Sequence, residues 1–137
     1  MVIDHICFAV KDLREGIAYW ERVFGYHQMT GPVVNSLQKV RVAFLSKNGS
    51  LTIKLIEPLE DNVSLVNFVG KGGGFHHICF KCDKVEEGVK DLKNKGLITL
   101  VAPQPGEAFN NHSIAFLLAK YGINIELIDT DEKAQML

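Results

Sequence analysis

What the chain lacks narrows its class before any motif is read. Cysteine is scarce and odd in number, at Cys7, Cys79 and Cys82, which argues against a disulfide framework and suits a reducing cytoplasm. No apolar run reaches membrane-spanning length. The opening MVIDHICFAV has no basic leader and carries Asp4 and His5 inside its apolar stretch, which does not fit a signal peptide. Charge of one sign is not in excess: the net value is −1, so neither nucleic acid nor a membrane is expected as a partner. The run Gly70 to Gly74 lacks the Gly-Lys-Ser/Thr ending of a phosphate loop and reads as a hinge. Cys79 and Cys82 have no second cysteine pair, so a zinc ribbon is not expected. What remains is a chain of 137 residues, 47% hydrophobic and 23% charged, enough for one domain with its own core.

An internal repeat organises that domain. Adding 72 to positions in the first half gives a gapless match. His5-Ile6-Cys7-Phe8 returns as His77-Ile78-Cys79-Phe80, and Glu15-Gly16 as Glu87-Gly88. Val42-Ala43-Phe44-Leu45 returns as Ile114-Ala115-Phe116-Leu117, and Ile53-Lys54-Leu55-Ile56-Glu57 as Ile125-Glu126-Leu127-Ile128-Asp129. Twelve of the 53 pairs from position 5 to 57 are identical, against roughly three expected from average composition.

Each half reads as β-α-β-β-β. A buried strand (Ile3 to Val10; His76 to Cys82) leads to a helix opened by Asp12 or Asp83 and stopped near Gly25 or Gly96. Strands follow over Val40 to Ser46 and Leu51 to Glu57, turning at Asn48-Gly49, and over Ser113 to Ala119 and Ile123 to Asp129. Residues 28–37 and 98–104 are weaker strand candidates. The chain thus divides into unit one (1–58), a linker (59–74) with a short helix over Val63 to Val69 capped by Asp61 or Asn62, unit two (75–130), and a polar tail (131–137) expected to fray.

Side chains alternate along a strand, so His5 and Cys7 share a face that the helix does not cover, as do His77 and Cys79. Lys54 and Glu126 occupy equivalent places on the last strands. If the halves pack about a twofold axis, all four polar groups converge. Cys7 and Cys79 read as small core hydrophobes. The loop Pro105-Gly106-Glu107 with Asn110-Asn111-His112 reads as solvated surface.

The chain resembles the vicinal oxygen chelate superfamily (glyoxalase, bleomycin resistance and extradiol dioxygenase proteins), most closely its methylmalonyl-CoA epimerases. The resemblance rests on Ile3-Asp4-His5, Val42 to Leu45, Glu57-Pro58-Leu59, Gly74 to Ile78, Pro105-Gly106, Ile114 to Leu117 and Ile125-Glu126-Leu127. It implies an α+β fold whose two units form an open, U-shaped cleft of eight strands, a small-molecule substrate and a homodimer. It also implies a divalent metal (Co, Ni, Zn, Mn or Fe, undistinguished) on His5, His77 and Glu126, with Glu126 moving a proton. No organic cofactor is implied.

Lys54 departs from the pattern, which places Gln or Glu there. An ammonium has no lone pair and cannot ligate. Three outcomes stay open: Lys54 stands aside from a two-His, one-carboxylate triad; it replaces the metal and stabilises an enolate itself; or the cleft only binds. An epimerase-like enzyme moving a proton α to a carbonyl, such as that of an acyl-CoA, is the leading expectation. A glyoxalase-type lactoylglutathione lyase, a metal-free resistance-type binding protein and a ferrous oxygenase are the alternatives. No clear carboxylate on Val40 to Ser46 offers itself as a second acid-base group.

Overall fold

The computed structural model describes residues 1–137. Its elements are β1 (Val2–Ala9), α1 (Leu13–Phe24), β2 (His27–Gln28), β3 (Val33–Asn35), β4 (Val40–Ser46), β5 (Thr52–Pro58), α2 (Val63–Gly70), β6 (Gly74–Lys81), α3 (Val85–Asn94), β7 (Ile98–Gly106), β8 (His112–Leu118) and β9 (Asn124–Ile128). One open sheet runs β2-β4-β5-β1-β6-β9-β8-β7, with β3 also on β4. The expected eight strands become nine because unit one's outer strand is broken. Pro32 has no N–H to donate, Gly31 gives its own to Gln135, and pairing with β4 resumes only at Val33.

The repeat is written into the pairing. β1 and β6 join the halves antiparallel with Ile6 opposite Ile78, equivalent residues that mark the pseudo-twofold axis. Cys7 pairs with Lys54 and Cys79 with Glu126 in parallel ladders, and Phe44 faces Lys54 as Phe116 faces Glu126. Helix starts match as well. The backbone N–H of Leu13 donates to Glu57 Oε2 at 2.8 Å, and that of Val85 donates to Asp129 Oδ2 at 3.0 Å. Asp12 also caps α1 through Glu15 N–H, but Asp83 does not cap α3; Lys84 sits at that position without a side-chain bond, and Asp129 supplies the acceptor. Asn62, not Asp61, caps α2.

Two apolar layers lie outside the sheet. α1 covers Leu45, Ile53 and Leu55, while α3 covers Leu117, Ile125 and Leu127. The third fills the inside of the U with Cys7, Cys79, Val42, Phe44, Phe109, Ile114 and Ile128. Both cysteines are fully buried there, where burial pushes their thiols up, as inert core residues require.

The tail does not fray. Ala134 N–H donates to Ala108 O, Gly31 N–H to Gln135 O, and Leu137 N–H to Met29 O, while Thr30 pairs with Met136. Residues of unit two and unit one are strapped together by one segment. Unused main-chain groups at the interrupted outer strand gave the tail its partners, a feature hydrophobic periodicity does not report.

Candidate active site

The four expected residues meet. His5, Lys54, His77 and Glu126 are all buried, at 0%, 2%, 1% and 0% exposure. Glu126 Oε1 is the hub: His5 Nε2 lies 3.1 Å away, His77 Nε2 3.0 Å and Lys54 Nζ 3.2 Å, with Lys54 also 3.3 Å from Oε2. Burial alone would push the Glu126 carboxyl up. The charge of Lys54 and the hydrogen bonding of the two imidazoles outweigh it and hold the group well below the usual carboxylate range. Burial likewise opposes the Lys54 charge, but Glu126 raises its affinity for the proton. Lys54 is therefore an ammonium paired with a carboxylate. Burial lowers His77 to about 3, so its ring is neutral.

Each site histidine is held from behind by the residue before it. His5 Nδ1 lies 2.7 Å from Asp4 Oδ2, and His77 Nδ1 lies 2.8 Å from His76 Nδ1. Asp4 and His76 are repeat equivalents, and the β1–β6 ladder skips both, between Ile3 and His5 and between Phe75 and His77. A bulge re-aims a side chain that alternation alone would turn outward. Asp4 is kept below its ordinary pKa: its burial is outweighed by the His5 hydrogen bond and the charge of Lys133.

The surroundings are unequal. Lys54, His76 and His77 line a cavity of about 430 Å³ with Gln38 and Asn62 on its wall. That cavity has no Asp or Glu in its lining, and His5 and Glu126 lie behind it. On the His5 side the ring of Phe109 stacks at 6.2 Å and Phe44 packs edge-on at 5.3 Å. Phe109 also lies under Lys54 Nζ at 5.4 Å. Asp4, His76, Phe109 and Lys133 are the participants that the strand pattern did not single out. The loop read as solvated surface instead buries Ala108 and Phe109 and bonds to unit one, Ala108 N–H to Asn35 Oδ1 at 2.7 Å and Ser36 N–H to Glu107 Oε1 at 2.9 Å.

His5, His77 and Glu126 offer donor atoms within 4.8 Å of one another. Two imidazoles and a carboxylate suit a divalent first-row metal. Lys54 does not suit it, because its ammonium holds both oxygens of the carboxylate the metal needs. The triad fits a metal only once Lys54 has been displaced.

A split nine-stranded open sheet of two such units, with its polar residues on the inner face, defines a class. Residues 4–116 match the glyoxalase/bleomycin resistance protein/dioxygenase superfamily, and the chain belongs to it. Among its relatives is Bacillus subtilis YqjC, itself uncharacterized, 32% identical over 93% of this chain and 91% of its own. Human mitochondrial methylmalonyl-CoA epimerase is 31% identical over 72% of this chain, a match spanning 56% of the human protein. Among solved structures, a methylmalonyl-CoA epimerase in complex with methylmalonyl-CoA and NH4+ superposes with a TM-score of 0.81 at 28% identity, covering 98% of this chain and 96% of that one. No helix here is long and apolar enough to cross a membrane.

Proposed function

We infer that the protein is an acyl-CoA epimerase of the methylmalonyl-CoA type, an isomerase that moves the proton α to a thioester carbonyl. The observation that carries this reading is the buried Lys54–Glu126 pair, whose ammonium lines a cavity of substrate size in a chain related to such epimerases. A thioester oxygen entering the cavity meets Lys54 Nζ. The ammonium turns toward it and supports the negative charge that grows there as the α-proton leaves. In turning, it releases one of the three restraints on Glu126, whose basicity rises as the carbonyl becomes polarised. As Lys54 turns aside it also opens the way from the cavity to Glu126 behind it, which then takes the proton. The return step on the opposite face needs a second proton-handling group, and the titratable groups in the cavity lining besides Lys54 are imidazoles, not a carboxylate. The relative solved with methylmalonyl-CoA and NH4+ supports the pairing of this substrate class with an ammonium; here the ammonium is covalently attached.

A divalent metal on His5, His77 and Glu126 is the second reading, favoured by their mutual spacing. When bound there it would supply Lewis-acid polarisation of the same oxygen.

The test is incubation with methylmalonyl-CoA in deuterium oxide, with chelator and with added divalent metals, followed by mass measurement. We expect α-deuteration that survives the chelator and is lost in Lys54→Met. No deuteration above the uncatalysed rate under any condition would sink the epimerase reading, and deuteration only with metal would favour the triad.

A further inference from the structure

We propose that Lys133, on the tail, is a positioning residue of the site: it fixes His5 through Asp4, so that the strap over residues 130–137 is a working part of the cleft.

Three separate contacts lead from Lys133 to His5. Lys133 Nζ lies 3.3 Å from Asp4 Oδ2, the oxygen that accepts from His5 Nδ1 at 2.7 Å. The same ammonium sits over the Phe44 ring at 5.2 Å and the Phe109 ring at 5.9 Å. Those two rings are the ones that wall His5. Lys133 thus grips both the acceptor that orients the imidazole and the rings that confine it. Its side chain is only 9% exposed, unusual for a lysine. Its neighbour Ala134 is pinned to Ala108 and the next residue, Gln135, to Gly31, so the backbone carrying it is fixed on both units.

The equivalent place in unit two shows what Lys133 adds. His76 stands against His77 Nδ1 where Asp4 stands against His5 Nδ1, but it is an imidazole facing the cavity and not a carboxylate held by a cation. Asp4 without Lys133 would be an acceptor free to turn toward solvent, since its own side chain keeps 11% exposure. A ring whose Nδ1 partner wanders loses the aim of its Nε2 on Glu126; at metal-ligating histidines such outer partners are worth about 10–100-fold in metal affinity or activity.

The decisive measurement is nitrogen-15 NMR of histidine-labelled protein. The His5 Nδ1–H should appear as a protected proton in the unaltered chain. Lys133→Met keeps an apolar stem over the two rings; it should speed solvent exchange of that proton at least tenfold. Lys133→Arg should restore it to within about twofold, and Lys133→Met added to Asp4→Asn should change nothing further. An unchanged His5 proton in folded Lys133→Met overturns the proposal, as does an arginine variant as disturbed as the methionine one. If Lys133→Met does not fold, the unaltered protein decides: a Lys133 ammonium that exchanges as a free surface amine also overturns it. These readouts hold whatever the reaction is. If the epimerase reading holds too, Lys133→Met lowers kcat about tenfold with KM unchanged; normal kcat with a disturbed His5 would count against the catalytic reading, not against the positioning.

Discussion

Lys54 sets the electrostatics of the site at the scale of single residues. A carboxylate buried with an ammonium and two imidazoles tolerates loss of none of them well, because removing one partner of a buried pair strands the other charge. Lys54→Gln removes the cation but supplies a carbonyl donor in its place. We expect it to bind Co2+ at least tenfold more tightly than the unaltered chain, about 1.4 kcal/mol, by calorimetry; equal or weaker binding would show that Lys54 does not stand in the ligand shell. His77 carries a second prediction, for protein held metal-free with chelator. Its ring is neutral when folded down to about pH 3, whereas in the unfolded chain it takes up a proton near 6.5. Over that window the unfolded state binds more protons, so folding stability rises with pH and is lost as pH falls, by about 1.4 kcal/mol per unit from this one group. Denaturant titrations of His77→Phe should show a shallower slope between pH 6 and 4; an identical slope would refute the assignment.

Among the elements, the repeated helix starts make the clearest comparison. Glu57 and Asp129 each accept a backbone N–H from the first turn of a helix in their own unit. Replacing either by Ala should cost about 1 kcal/mol, and the two costs should be similar, measured by urea unfolding. This equivalence was half visible: Glu57 and Asp129 stood at the 72-residue shift, but the periodicity of a strand says nothing of what its last carboxylate reaches. The strands, the helices and the meeting of His5, Lys54, His77 and Glu126 were legible because alternation and the repeat act on regular backbone. Asp4 and His76 were not, since each sits on a bulge where alternation breaks. Phe109 was hidden for a similar reason: it lies in a short 3-10 turn inside a loop rich in polar residues. Lys133 belonged to a polar tail, and only tertiary contacts distinguish a strapped tail from a solvated one.

For the molecule as a whole, the strap makes the two halves unequal. Duplication produced two equivalent histidines, yet His77 lines the cavity and His5 lies behind it under Phe44, Phe109 and Lys133. Deleting residues 131–137 should expose the buried side. Diethylpyrocarbonate should then modify His5 in the shortened protein and leave it untouched in the unaltered one, as read by peptide mass mapping; a His5 that stays unreactive after the deletion would show that the strap is not what covers it.

The cavity beside His76 and His77 presents one ammonium, that of Lys54, and no carboxylate. It therefore has a sign as well as a shape. An anionic compound of suitable size can lodge at Gln38 and Asn62 without meeting a like charge in the lining, while a cation of the same outline meets Lys54.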